Sequence, residues 1–190
     1  MVLFMKVTLL YDEEYRTETF EQLYECIGDY LSDQGAEVEE FMLGRNDLAF
    51  CMGCFGCWVK TPGECVIKDR MAQINESYVN SDAVIYLCPV VFGQSSANMK
   101  NAIDRWLPNI LPFFQKRSDG STIHPSRYKH NPKPIMIAYA DALSEEDEQL
   151  FTDIQKKHRQ APEVVIYHKA PDEIKERLRE IPLRKVGTLL

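Results

Sequence analysis

Apolar runs of strand length alternate with segments of helical period along this chain, and that alternation decides the fold class. Val2 to Tyr11 is a near-continuous apolar run with branched and aromatic residues, which predicts a buried strand. Thr19 with Gln22 forms a capping-box pattern, after which Phe20, Leu23, Tyr24, Ile27 and Leu31 recur at helical spacing and Gly35 ends the helix. Ala36–Leu43 reads as a second strand. Asp69 opens a helix through Met71, Ile74 and Tyr78. Ala83–Cys88 is a third buried strand, stopped by Pro89. Ser95 or Ser96 caps a helix through Met99, Ile103 and Trp106. Pro134–Ala140 is a fourth strand, and Ser144 with Asp147 starts an acidic helix through Leu150 and Ile154. Val164–His168 is a fifth strand and Pro171–Glu180 a last helix. Between them, about 107–133 has no clear period and reads as an irregular surface excursion. The tail, Ile181–Leu190, packs back or extends to a partner.

Such alternation implies a parallel sheet with helices on both faces, because each right-handed crossover covers the sheet. The chain of 190 residues suits one domain spanning 1–190. Ligands of these sheets bind beyond the carboxyl ends of the strands, where the strand order reverses. The loops at Asp12–Thr19, Cys51–Cys65, Pro89–Ser96 and Tyr139–Leu143 are expected to open on that edge.

The net charge of -7 disfavours nucleic acid or an anionic membrane surface as partner, since both would repel it. The apolar start is short, Lys6 interrupts it, and acids rather than a small-residue cleavage site follow, so no signal peptide is read. No stretch approaches the roughly 20 apolar residues that span a bilayer. The expected location is cytoplasmic.

The chemically richest segment is C-M-G-C-F-G-C-W-V-K-T-P-G-E-C, with thiols at Cys51, Cys54, Cys57 and Cys65. In a reducing compartment, clustered cysteines point to metal or redox work. Four thiolates suit a four-iron, four-sulfur cluster. The residues alone leave three other readings open: zinc, a cycling Cys54–Cys57 or Cys57–Cys65 disulfide, and buried thiols that merely pack. Cys26 and Cys88 are expected to pack. His124, His130, His158 and His168 are scattered and are assigned no catalysis. Asp104 and Arg105 are expected to form a local ion pair.

Two segments resemble the flavodoxin-like NAD(P)H-dependent FMN reductases, and especially their iron–sulfur flavoprotein branch. One is the cysteine motif followed by G-E-C-V-I-K-D. The other is C-P-V-V-F-G-Q-S-S-A-N-M-K-N-A-I-D-R-W, Cys88 to Trp106, which is similar to that family's flavin-ring loop and following helix. The likeness covers roughly Met1 to Leu107. It implies a flavodoxin-like, doubly wound, five-stranded parallel sheet of order 2-1-3-4-5 in three α/β/α layers. It also implies FMN with its ring over Pro89, Val90, Val91, Phe92, Gly93, Gln94, Ser95 and Ser96, and NAD(P)H as hydride source. Electrons would pass to a quinone, flavin, disulfide or redox protein, or to a cluster on the four cysteines. In that scheme the flavin carries the chemistry and no side chain is required as acid or base. A homodimer or tetramer is expected, with the cysteine loop at a subunit interface.

One stretch departs from the pattern. Where the family carries a glycine- and serine-rich phosphate loop, this chain has Tyr11-Asp12-Glu13-Glu14-Tyr15-Arg16-Thr17-Glu18-Thr19. Two like unit charges about 6 Å apart repel by roughly 3 kcal/mol at an effective dielectric near 20. Arg16, Thr17 and Thr19 are the residues left to hold a phosphate. The alternative is a flavodoxin-fold protein that has lost FMN and acts as a thiol- or metal-dependent binding module.

Overall fold

The computed structural model describes residues 5–158 and 163–183. Strand β1 (Lys6–Asp12) runs into a one-turn 3-10 segment at Glu13–Tyr15 and then helix α1 (Glu18–Asp33). Strand β2 (Glu37–Leu43) leads into the cysteine loop, which carries the short helix α2 (Gly56–Val59), and α3 (Met71–Asn80) follows. Next come β3 (Ala83–Val91), β4 (Gln94–Ser95) and α4 (Ala97–Asp104). A small hairpin of β5 (Gln115–Lys116) and β6 (Thr122–Ile123) lies in the excursion. The chain then forms β7 (Lys133–Tyr139), α5 (Glu145–His158), β8 (Glu163–Ile166) and α6 (Pro171–Glu180). The expected start of the first strand at 2–4 and the tail beyond 183 fall outside the described residues.

The parallel strands pair in the order β2-β1-β3-β7-β8, the doubly wound, flavodoxin-like arrangement that the sequence implies. Alternate strand residues feed two cores, as the two-residue period of a strand requires. Val7, Leu9, Ile85, Leu87, Ile135 and Ile137 face one side, under Phe20, Leu23 and Ile27 of α1 and Ile174 and Leu178 of α6. Leu10, Val84, Tyr86, Met136 and Ala138 face the other, under α3, α4 and α5 through Ile74, Met99 and Phe151.

Two boundaries and one ion pair differ from the sequence reading. Helix α1 is capped by Thr17, whose hydroxyl accepts from the Phe20 amide at 3.4 Å; Thr19 is the second residue of the helix, buried. Pro89 does not stop the third strand, which continues to Val91. The β1 register ends opposite Leu87, so the ladder on that side asks no N–H of Pro89. Finally, Arg105 does not pair with Asp104. It grips Asp69 with two nitrogens at 2.8 and 2.9 Å, while Asp104 pairs with Lys100.

Candidate functional site

The strand order reverses between β1 and β3, so the crevice above their carboxyl ends is where a ligand belongs. Asp12, the last residue of β1, is fully buried there. Its carboxylate accepts from the Ser96 hydroxyl at 2.5 Å, from the Asn98 amide at 2.9 Å and from the Glu14 N–H at 3.0 Å. Ser96 also caps α4, accepting from the Met99 amide. One carboxylate thus bolts the end of β1 to the start of α4. Glu14 turns outward to Arg45 at 2.8 Å and to Asn98 at 3.1 Å. Tyr139 donates to the Tyr15 carbonyl at 3.0 Å and fixes the 3-10 turn from the β7 side.

The segment Pro89–Ser96 is a hairpin rather than an open loop. Val90 pairs with Ser95 and Val91 with Gln94, which leaves a two-residue tip of Phe92 and Gly93. Both tip residues have positive φ, 49° and 69°, the geometry of the tight turn that matches strand twist. Such a turn favours Asn-Gly. Phenylalanine in the left-handed region costs on the order of 1–2 kcal/mol. Its ring is also 88% exposed, so no packing offsets that cost. Strained residues of this kind gather at functional sites. Gly93 has a second constraint. A Cβ there would lie 2.6 Å from Leu150 of α5, so the missing side chain admits the α5 helix. Gln155 of α5 donates to the Ser95 hydroxyl at 3.2 Å and steadies the hairpin from below. Beneath it, burial pushes the Cys88 thiol up to about 12, which makes it a neutral packing group.

The start of α1 is organised differently. The Asp141 carboxyl is held below the usual carboxylate range, chiefly by the Thr19 and then the Thr17 hydroxyl, with Lys169 and the Thr19 backbone N–H adding to the effect. Lys169 also donates to the Asp141 carbonyl at 2.9 Å. Arg16 faces away, bonded to Glu21 at 2.9 Å and lying over the Phe20 ring. Of the three residues expected to hold a phosphate, Arg16 is bound to Glu21, the Thr17 hydroxyl accepts from the Phe20 amide, and Thr19 is buried. Asp141 carries no motif of its own. The only sequence signal for it was its place in the loop after the fourth strand.

The cysteine loop is stapled by α4. Asn101 donates to the Leu48 carbonyl at 2.8 Å and Arg105 to the Ala49 carbonyl at 2.5 Å. Asp69 accepts from the Ala49 amide at 3.0 Å and from Arg105. Burial pushes the Asp69 carboxyl up, but the Arg105 guanidinium and the Ala49 and Met71 amides outweigh it and hold it below the usual range. Within the loop Cys51 and Cys54 are exposed, Cys65 is half-buried and Cys57 is buried; all four are free thiols. Burial raises the Cys57 thiol, and Cys65, Cys51 and Cys54 are close enough to raise it further. Among the described residues, no group of three or more His, Cys, Asp or Glu side chains is arranged to hold a metal. The donors suit a cluster chemically, but their arrangement does not assemble one. Phe55 stacks on Trp58, and Trp58 and Phe114 both pack on His124, so the loop and the excursion share one aromatic surface.

A doubly wound sheet of this order, with a hairpin and two helix starts around its switch point, defines a flavodoxin-like α/β protein. Residues 5–153 match the family described as NADPH-dependent FMN reductase, and the chain belongs to that family. An iron-sulfur flavoprotein of Archaeoglobus fulgidus is 40% identical over 78 residues, which cover 41% of this chain and 34% of that protein. One of Methanocaldococcus jannaschii is 36% identical over 77 residues, covering 40% of this chain and 38% of that protein. The chain thus matches little more than a third of the length of these relatives. Among solved structures, an NAD(P)H:quinone oxidoreductase from Methanothermobacter marburgensis superposes with a TM-score of 0.63 at 15% identity, covering 93% of this chain and 94% of that one. An azoreductase from Bacillus anthracis gives 0.59 at 12% identity, with 93% and 94% covered. At such identities the likeness is one of fold.

Proposed function

We propose that the chain is an NAD(P)H-dependent flavin oxidoreductase whose flavin ring lies against the Pro89–Ser96 hairpin. The observation that carries this reading is Phe92: an exposed aromatic held in a strained turn at the switch point of a family member. A bound flavin supplies hydride acceptance and release of electrons one or two at a time. The protein's part is placement. Phe92 offers a flat apolar face of the kind that packs on an aromatic ring. Backbone groups of Val91–Gln94 lie at the tip, while Asp12, Ser96 and Gln155 hold the hairpin rigid beneath it. The exposed Phe92 face supports a ring at this place, and Arg16, one of the residues expected to hold a phosphate, is bound to Glu21.

The acceptor proposed is a small oxidised molecule, such as a quinone or a second flavin, approaching the exposed face of Phe92. No step is routed through the cysteines. The aromatic surface of Phe55, Trp58 and Phe114 is proposed to be covered by a second copy of the chain. Among the described residues no helix is long and apolar enough to cross a membrane.

The test is anaerobic incubation with NADPH or NADH and riboflavin, following bleaching of the flavin colour. The reading expects bleaching that depends on the protein and weakens in Phe92→Ala. Protein that bleaches no flavin with either nicotinamide would defeat it.

A further inference from the structure

We infer that the cavity toward the amino ends of β3 and β7 is a second small-molecule site, built for a neutral phenol of one or two aromatic rings. It lies toward the opposite edge of the sheet from the hairpin crevice and stands apart from the flavin reading.

The cavity holds about 430 Å³, within the roughly 300–1,000 Å³ typical of small-molecule pockets. Tyr86 of β3 and Met136 of β7, which are register partners, line it. So do Tyr78 of α3, Ile103 of α4, Trp106 just beyond α4, and Ile110 of the excursion. Trp106 stands edge-on to Tyr78, with ring centroids 5.4 Å apart. Aromatic rings with aliphatic neighbours suit a flat aromatic guest, through edge-to-face or offset contacts.

The polar groups define what the guest carries. Trp106 Nε1 and Asn131 Oδ1 are buried without a hydrogen-bond partner, and both belong to lining residues. The Asn131 amide nitrogen donates to the Tyr128 carbonyl at 3.1 Å, which leaves its oxygen over. One atom is a donor and the other an acceptor, and a buried polar atom in that state is costly. A phenolic hydroxyl is donor and acceptor at once, so it can answer either. Tyr78 and Tyr86, only 6% and 8% exposed, bring two hydroxyls more. Burial pushes both phenols up, so they stay neutral hydrogen-bonding groups.

Charge narrows the class further. Asp104 is the one ionised side chain among the described lining residues, and it is paired with Lys100. An anionic guest would therefore be buried with no cation to meet it. A cationic guest would find the acid already answered.

The experiment titrates the full chain with naphthol, naphthalene and naphthoate and follows the tryptophan indole N–H signals by NMR. The two indoles differ: Trp58 Nε1 donates to the Leu107 and Ile110 carbonyls at 3.2 and 3.1 Å, whereas Trp106 Nε1 has no partner. Trp58→Phe assigns the signals. Naphthol is expected to saturate at one molecule per chain and to move the Trp106 signal downfield. It should bind about tenfold more tightly than naphthalene, which lacks the hydroxyl, and than naphthoate, which carries a charge. Trp106→Phe, at a half-buried position, keeps an aromatic wall and removes the donor. It should narrow the gap between naphthol and naphthalene, read from the Ile110 and Asn131 amide signals. Ile110→Trp fills the cavity and should abolish binding of both, with circular dichroism checking the fold. Naphthol that binds no better than naphthalene or naphthoate, or a gap that Trp106→Phe leaves unchanged, would overturn the inference. So would binding that persists in folded Ile110→Trp, or naphthol shifts that never saturate. The wild-type and Trp106→Phe titrations decide the matter even where Ile110→Trp does not fold.

Discussion

The hairpin at Pro89–Ser96 and the start of α1 border the same crevice, yet they are finished in opposite ways. The hairpin is held from beneath and left open on top. Asp12, Ser96 and Gln155 fix its base, while Phe92 stands in solvent in a conformation that phenylalanine rarely adopts. The helix start is tied to its own first turn: the Thr17 hydroxyl accepts from the Phe20 amide and Arg16 is bound to Glu21. Stability has been spent at the place suited to a ring and recovered at the place where a phosphate would sit. The lesson is that a ligand's two ends can be judged separately, each by asking which polar groups and which apolar faces still lack a partner.

The comparison is broken most strongly by cutting the support that the hairpin and the cysteine loop share. Arg105 ends α4, its side chain is 1% exposed, and it ties Asp69 and Ala49 to the helix that begins at the hairpin. Arg105→Ala leaves Asp69 without its partner and should cost about 3–5 kcal/mol in denaturant unfolding. A loss below about 1 kcal/mol would mean that the two regions are not braced together. Acid probes the same pair more gently. The Asp69 carboxyl is held low in the folded protein, so its contribution is present above the unfolded carboxylate value and lost as pH falls through the folded one. Below about pH 4, where unfolded Asp begins to bind protons, the wild type should lose stability faster than Asp69→Asn. Equal slopes would contradict the assignment.

Phe92→Asn tests the hairpin alone. Asparagine accepts the left-handed turn, so unfolding should become harder by about 1 kcal/mol, while flavin binding weakens about tenfold. Gains in both would show that the exposed ring serves no ligand. The smallest expected effect lies in the cysteine loop. Maleimide labelling should reach Cys51 and Cys54 first and Cys57 later, because burial raises the Cys57 thiol. Four equally protected thiols would instead mean that the loop closes around a metal.

Much of the frame was legible in the sequence because the central strands are near-continuous apolar runs and the long helices show an apolar stripe. The strand order followed from the resemblance, and β1, α1, α3 and β7 lie close to where the pattern puts them. Shorter features escaped. Strand β4 is two residues long, so no period announces it. The pairing of Arg105 with Asp69 spans 36 residues and was hidden by an adjacent acid, Asp104. The site itself was half legible. The hairpin sequence marked the ring end, and the missing glycines after β1 marked the tail end as altered. From the residues alone, the acids at Asp12–Glu14 read as the obstacle there. The structure gives Asp12 to Ser96 and Asn98, and Glu14 to Arg45, partners that only the folded sheet brings near.

The central claim is that a flavin ring rests on the Phe92 hairpin, and mapping riboflavin by amide chemical shifts tests it most directly. The account predicts that signals of Val91–Ser96 move on titration, with those of Asp12–Tyr15 moving less. Shifts confined to the cavity of about 430 Å³ lined by Tyr78, Trp106 and Ile110, or no shifts at saturating riboflavin, would contradict it.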